Sequence, residues 1–109
     1  MAFDEALAER VREVVGKRKS VVEKRMFGGL AFMMRGHMAC GVTREDLMVR
    51  VGPDAHEAAL KRAGARPMDF TGRPMKGMVF VSAAGYRTKA QLAHWIGLAT
   101  EYAESLPAK

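Results

Sequence analysis

The chain has very little cysteine and no long apolar run. Cys40 is the only cysteine among 109 residues, which excludes an internal disulfide framework and a cysteine-rich zinc site. Such cysteine usage is typical of a reducing compartment. No apolar stretch approaches the roughly 18 residues that span a bilayer, and the acidic start MAFDEALAER is unlike a secretory signal. We therefore expect a cytoplasmic protein with no membrane partner.

Glycine motifs that bind phosphate are also missing. A P-loop needs spaced glycines followed by Lys and Ser or Thr at a helix start, and a dinucleotide site needs GxGxxG between strand and helix. The paired glycines Gly28 and Gly29 lead instead into Leu30, Ala31 and Phe32, which predict a strand. No helix N-terminus is then available to bind an anion. Since glycine tolerates positive φ, the pair is predicted to be a structural turn.

Residues that carry catalysis or bind metals are scattered along the chain. His37 and Cys40 lie three positions apart in a predicted strand, so their side chains face opposite sides. Cys40 has apolar neighbours, and burial raises the pKa of a thiol and so lowers its reactivity. His56 and His94 have no ligand partner three or four positions away. We therefore predict a non-enzymatic protein with no catalytic residues, no metal and no cofactor.

Helical spacing recurs at both ends of the chain, and a length of 109 residues fits a single domain, 1–109. Residues 4–17 predict a helix with Asp4 as its cap, ended by Gly16 and the run KRKS. Near the C-terminus, Thr88 and Gln91 form a capping box. It precedes one apolar stripe: Leu92, Trp95, Ile96, Ala99, Tyr102, Ala103 and Leu106.

A shorter helix and a loop are predicted between these two ends. Pro53 and Asp54 stand at a helix start, with Glu57 as a capping-box partner and Gly64 at the end. Residues 64–77 hold glycines and prolines and predict an ordered loop, within which RPMDF is briefly extended.

Short apolar runs broken by turn residues occupy the middle of the chain. VVEKRMF, LAFMMR, HMACGV and DLMVRV are separated by breaks too short for crossovers, which predicts four antiparallel strands. MVFVS predicts a further strand. The order predicts an α+β fold of two layers. A mostly antiparallel sheet, of four strands, a helix and one or two more strands, packs helices on one face.

The net charge of +6 is concentrated in two segments. Residues 17–36 carry six basic side chains against one acidic, and residues 65–87 carry four against one. Basic patches attract nucleic acid, although short clusters are often only solvated surface. The alternative function is therefore a nucleic-acid-binding module that uses segment 17–25 and loop 64–77. Its candidate contacts are Lys24, Arg25, Phe27, Arg73 and Lys76.

The chain contains nine methionines, an unusual supply of flexible thioethers. Such side chains fill gaps in cores and also make adaptable binding surfaces. The run LAFMM is apolar on both faces of its predicted strand, so its outer face is available to a partner. We predict that Met33 and Met48 lie on the uncovered face of the sheet and contact another protein, a second copy of this chain included.

Several segments together resemble the N-terminal domain of the TfoX/Sxy family. They are KRMFGG, GHMACGV, DLMVRV, RPMDF, MKGMVFV and LAHWIGLATEYAESLPAK, and RMFGG, Arg25 to Gly29, is the most specific. The resemblance covers nearly the whole chain. It implies a two-layer, secretion-chaperone-like domain with an antiparallel sheet, in a bacterial family whose longer members regulate competence genes.

Longer members of that family carry a second, helical C-terminal domain. This chain ends at Lys109, so we expect that domain to be absent and do not transfer the competence role. The resulting prediction is a regulatory or adaptor protein that acts by protein–protein interaction. Nucleic-acid binding is the alternative, and an enzyme with an unrecognised site in loop 64–77 is the least favoured interpretation.

Overall fold

The computed structural model describes residues 4–15, 21–26, 29–34, 36–44, 46–69 and 74–107. These residues form an α+β fold with an antiparallel sheet, as predicted. In chain order the elements are α1 (Glu5–Val15), β1 (Val21–Met26), β2 (Gly29–Met34), β3 (His37–Thr43), β4 (Asp46–Arg50), α2 (His56–Leu60), β5 (Ala65–Asp69), β6 (Pro74–Val81), α3 (Ala83–Tyr86) and α4 (Lys89–Ser105).

The described strands form one six-stranded sheet in the order β1-β2-β3-β4-β6-β5. Every neighbouring pair is antiparallel. The first four strands follow one another along the chain, because short connections join antiparallel neighbours. The strand β6 then lies between β4 and the edge strand β5.

The predicted loop over residues 64–77 is mostly strand. Ala65–Asp69 pairs with β6, which begins at Pro74, while residues 70–73 lie outside the described residues. Pairing in the sheet therefore overrides the local glycine and proline content. Pro67 is tolerated because β5 is an edge strand with no partner among the described strands on its outer side.

Side-chain caps fix the first and last helices where the sequence predicts them. The Asp4 carboxylate accepts hydrogen bonds from the amides of Ala6 and Leu7, at 2.9 and 3.2 Å. At α4, Thr88 Oγ1 accepts from the Gln91 amide at 3.0 Å, and Gln91 Oε1 accepts from the Thr88 amide at 2.9 Å. The predicted stop of the first helix, at Gly16 and KRKS, lies outside the described residues; α1 ends at Val15.

The capping box predicted for the middle helix is wrong. The helix α2 begins at His56 with Ala55 as its N-cap, and no side chain caps it. Because the helix starts later than predicted, Asp54 does not occupy the capping position and Glu57 is not three residues from the cap. The short helix α3, Ala83–Tyr86, was not predicted from the sequence.

The main core lies between one face of the sheet and the helices, as predicted. Its buried side chains come from all four described helices and from β2, β3, β4 and β6. Trp95 is 1% exposed, and its Nε1 donates a hydrogen bond to the Gly85 carbonyl at 3.0 Å. The helix α4 lies against β2, β3 and β4. Within the described ranges, no helix has the length and apolar character needed to cross a bilayer.

Candidate protein-interaction surface

The sheet face opposite the helices carries a second, separate apolar cluster. Met48 and Met78 are buried there, with Met38 and Phe80 packed against them. Met33 joins this face because it pairs directly with Met38 across β2 and β3, and directly opposed residues share a face. We call the five side chains, Met33, Met38, Met48, Met78 and Phe80, the methionine face.

One row of paired residues crosses the whole sheet on this side. Because each residue lies opposite the next in a neighbouring strand, their side chains share a face. From β1 to β5 the row is Lys24, Ala31, Gly41, Met48, Phe80 and Arg66. Its middle is small or apolar, and each end is basic. The positive charges therefore border the methionine face at both edges of the sheet.

A second row brings exposed apolar atoms to the β1 side of the face. Val22 pairs with Met33, and Met33 pairs with Met38. Val22 is 63% exposed, and the two methionines are half-buried. A shift of register after Phe32 creates this arrangement, since unbroken pairing would place Met33 opposite Ala39. Such a bulge re-aims side chains and leaves no clear sequence signal.

The sequence predicts that Met48 lies on the uncovered face and contacts a partner, and only the first part of this prediction agrees with the structure. Met48 lies on the predicted side of the sheet, but it is 0% exposed. Gly41 explains the burial, because a Cβ at that position would lie 2.8 Å from Met48 Cε and 2.7 Å from the Leu30 carbonyl oxygen. The absent side chain therefore leaves the space that Met48 fills. Met48 forms the floor of the surface, and Met33 remains accessible.

Arg66 is held at the β5 end of the face by two contacts. Its guanidinium lies 5.1 Å from the centre of the Phe80 ring, a cation–π distance. It also donates hydrogen bonds to both carboxylate oxygens of Asp46, at 3.2 and 2.6 Å. Asp46 therefore offsets part of this positive charge, while Lys24 at the opposite end is exposed.

The remaining predicted contact residues do not converge on one site. Arg25 is exposed on β1 but pairs with the core residue Leu30, so it lies on the helix side of the strand, away from Lys24. Phe27, Gly28 and Arg73 lie outside the described residues. Lys76 belongs to β6, and its side chain is also outside the described part of the chain.

Gly29 begins β2 and pairs with Met26, so it leads into a strand as predicted. A Cβ on Gly29 would overlap the carbonyl oxygen of Val42 in β3. Glycine is therefore required here by the close approach of the neighbouring strand. Residues 27 and 28 separate the paired residues of β1 and β2 in the sequence.

The sequence interpretation missed Met38, Met78 and Phe80 as members of this surface, and Val22 as its exposed neighbour. Met78 and Phe80 alternate with the core residues Val79 and Val81, a period of two that was available in MVFVS. Val22 and Met38 depend on the pairing of separate strands. That pairing is not encoded in any one local pattern.

Reactive side chains lie away from this face. The Cys40 thiol is fully buried in the main core, and burial raises its pKa to about 12. His37 is 8% exposed, and its Nε2 donates to the Pro107 carbonyl at 2.6 Å. No three His, Cys, Asp or Glu side chains in the described segments are placed to hold a metal ion.

An open groove of about 510 Å³ runs along the outer side of α4. Its polar side chains include His94, Glu101 and Glu104. Burial and the nearby positive charge of Arg62 lower the pKa of His94. This groove lies on a helix and is separate from the 64–77 segment that the enzyme interpretation had named.

The fold is thus a layered α+β domain, with helices on one sheet face and a methionine-lined surface on the other. The chain belongs to the TfoX N-terminal domain family, whose family model matches residues 13–103. Comparisons with curated proteins and with solved structures gave no match.

Proposed function

We propose that this protein is a non-enzymatic regulatory or adaptor protein that acts by binding another protein through the methionine face. The single observation that supports the proposal is an apolar sheet face that no described helix covers. Its accessible members are the half-buried Met33, Met38 and Phe80, and Val22, which is 63% exposed, lies beside them on β1. Membership of the TfoX N-terminal domain family supports the regulatory part of the proposal.

The physical case rests on what such a face gains by being covered. Removing apolar surface from water contributes about 25 cal/mol per Å². Methionine side chains adjust their shape to a partner because the thioether chain is flexible. Lys24 and Arg66 at the two ends of the row favour a partner whose apolar segment is flanked by acidic residues.

Met33→Gln tests the proposal with little effect on folding, because Met33 is only half-buried. Ala93→Gln is the matched control, since Ala93 is exposed on α4 in the opposite layer. Wild type and both variants are used to capture proteins from the native cell, and the retained proteins are quantified by mass spectrometry. We expect at least one retained protein to fall about tenfold with Met33→Gln, equivalent to roughly 1.4 kcal/mol of binding, and to be unchanged with Ala93→Gln.

The retained protein must then bind the purified chain directly, with the same difference between the variants. Equal retention by wild type and Met33→Gln for every captured protein would contradict the proposal. Circular dichroism of each variant separates a lost contact from a lost fold.

Nucleic-acid binding remains the second candidate, because Lys24 and Arg25 are both exposed on β1, although on opposite sides of the strand. Contacts to phosphates release counterions, so affinity through them falls steeply with added salt. This candidate predicts that Lys24→Gln combined with Arg25→Gln weakens binding to any DNA or RNA sequence alike and reduces the salt dependence. Fluorescence anisotropy with labelled oligonucleotides at several salt concentrations measures both quantities. Absence of binding at low salt would remove this candidate.

A further inference from the structure

The two edges of the sheet are built differently. The β5 edge contains Pro67, which has no amide hydrogen to donate, and its pairing with β6 shifts register between Pro67 and Asp69. Arg66 on the same strand is bound to Asp46 of β4. Proline, irregular register and charge are the devices by which edge strands avoid pairing with another chain. The β5 edge is therefore protected.

The β1 edge has neither the proline nor the register shift of β5, although it also carries charged side chains, at residues 23 to 25. Its six residues, Val21–Met26, contain no proline and pair with β2 in unbroken register. No described strand pairs with its outer side. Val22, the large apolar side chain with most exposure among the described residues, lies on this strand. An edge of this kind offers its outer backbone hydrogen-bonding groups to an added strand.

The side chains of β1 are complementary to a second copy of the same strand. In antiparallel pairing with Lys24 opposite its own copy, Glu23 lies opposite Arg25 and Val22 lies opposite Met26, each twice. Opposite charges and apolar pairs across strands are stabilising. Glu23 already accepts two hydrogen bonds from Arg12 of its own copy, and because a carboxylate has further acceptor sites, Arg25 of the second copy adds to this ion pair. Registers centred on Glu23 and on Lys24 each oppose one pair of like charges, but only the register centred on Lys24 adds two Glu23–Arg25 pairs. The charge pattern therefore selects the register centred on Lys24.

This register also places the same layers together. Even-numbered residues of one copy lie opposite even-numbered residues of the other, and odd-numbered residues lie opposite odd-numbered ones. The helix sides of both copies therefore lie on one side of the joined sheet. Val22 and Lys24, which share the methionine-face side of β1, then meet the same side of the second copy. The two methionine faces become one continuous surface. The opposed Lys24 ammonium groups repel each other, and added salt screens that repulsion.

We propose that two copies of this chain associate by antiparallel pairing of β1 with β1, centred on Lys24, to form one continuous sheet. The proposal deepens the proposed function and rests on it only in treating self-association as a form of protein binding. The partner at this edge is a second copy, and its recognition elements are the open backbone edge, the apolar Val22 and the alternating charges of residues 23 to 25.

Cysteine cross-linking tests the register directly. Lys24→Cys places two thiols opposite each other across the axis, within the Cα separation of roughly 4.4 to 6.8 Å that a disulfide requires. Val22→Cys is the matched control. It lies on the same strand and the same side, but in the proposed register position 22 of one copy lies several residues along the strand from position 22 of the other. The native Cys40 is fully buried, so it does not compete under mild oxidation.

We expect Lys24→Cys to form a covalent dimer at least about tenfold faster than Val22→Cys, measured by non-reducing electrophoresis. Both positions are exposed, so the fold is retained, which circular dichroism checks. Equal rates for the two variants would overturn the proposed register. Sedimentation of wild type as a monomer at every concentration up to about 1 mM, a weak-binding limit, would overturn the pairing itself.

A charge exchange provides an independent test. Arg25→Glu places a second carboxylate opposite Glu23 of the other copy, and this happens twice in the dimer. We therefore expect the dimer dissociation constant to rise about tenfold at low salt. Combining Glu23→Arg with Arg25→Glu restores opposite charges and should recover most of the affinity, measured against Glu23→Arg alone because Glu23 also binds Arg12 of its own copy. Arg87→Glu, the same change of charge at an exposed residue between α3 and α4, is the control. A double variant as weak as the single one would contradict the proposal.

The two proposals fail in different ways. If Lys24→Cys does not cross-link while Met33→Gln still loses a captured protein, edge pairing is wrong and the binding role of the methionine face stands. If cross-linking occurs while Met33→Gln loses nothing, the edge pairing stands and binding of other proteins by the face is wrong.

Discussion

Leu47 and Met48 are neighbours in β4, and both are 0% exposed, yet they belong to opposite sides of the sheet. Leu47 packs in the main core under the helices, and Met48 packs in the cluster of the methionine face. Burial alone therefore does not distinguish the two faces. What differs is the chemistry of the surroundings: mostly branched and aromatic side chains on one face, and mostly thioethers, with Phe80 and a glycine, on the other.

That difference separates two tasks within one sheet. Branched and aromatic side chains have few rotamers and specify a unique packing under the helices. Thioethers adapt to several shapes, so they suit a surface that must accept a partner after the domain has folded. We therefore expect changes in the main core to alter the free energy of unfolding, and changes at the accessible methionines to alter binding.

The largest expected effect is the loss of Trp95. Trp95→Ala removes a side chain that is 1% exposed, together with its hydrogen bond to the Gly85 carbonyl. Truncating a buried tryptophan lowers the free energy of unfolding by about 3 to 5 kcal/mol, because transfer and cavity terms add. Urea unfolding followed by circular dichroism measures it, since Trp95 is the only tryptophan and its fluorescence is lost.

Met33→Ala is the matching change on the other face. Met33 is half-buried, so we expect a loss of about 1 kcal/mol or less. A loss as large as that of Trp95→Ala would contradict the division of tasks, because it would make the methionine face a second essential core.

An effect smaller than that of Trp95→Ala, but larger than that of Met33→Ala, is expected from closing the space beneath Met48. Gly41→Ala places a Cβ 2.7 Å from the Leu30 carbonyl oxygen and 2.8 Å from Met48 Cε. The methyl group of Met48 can move, but the backbone of β2 cannot move cheaply. Overpacking of this kind lowers the free energy of unfolding by about 1 to 3 kcal/mol, measured by urea unfolding.

Gly97→Ala is the control for the glycine substitution itself. Gly97 lies within α4, and a Cβ there would have no atom within 4 Å. Alanine at such a helical position raises stability by roughly 0.4 to 1 kcal/mol, because the unfolded chain loses conformational freedom. Opposite signs for the two substitutions would confirm that space, and not glycine content, limits Gly41. Equal signs would contradict it.

Much of the fold was predictable because local patterns and final structure agree. The capping box at Thr88 and Gln91, the Asp4 cap and the four strands between residues 21 and 51 are encoded within a few residues of where they act. The TfoX N-terminal domain family was likewise identifiable from short segments and is confirmed over residues 13–103.

The predictions that the structure contradicts share one physical cause: pairing between strands that are distant in the sequence. The edge strand β5 forms because β6 supplies hydrogen-bonding partners, although Gly64 and Pro67 argue locally for a loop. Met48 is buried because Gly41 of another strand leaves space for it. Neither outcome follows from a local window, since each depends on which strands become neighbours.

The smallest expected effect concerns the attachment of α1 to the helix side of β1. Arg12 donates two hydrogen bonds to the Glu23 carboxylate, at 2.9 Å each, and these bonds lower the pKa of Glu23 although partial burial raises it. Both side chains are partly exposed, so Glu23→Gln should lower the free energy of unfolding by only about 0.2 to 1 kcal/mol.

This contribution should depend on pH. Because the pKa of Glu23 is lowered in the folded state, the contribution is present at neutral pH and is lost as the pH falls through that pKa. Urea unfolding of wild type and Glu23→Gln across this acidic range should therefore show a difference that shrinks with falling pH. A difference that grows towards acidic pH would contradict the assignment, since it would require a carboxylate whose pKa the fold raises.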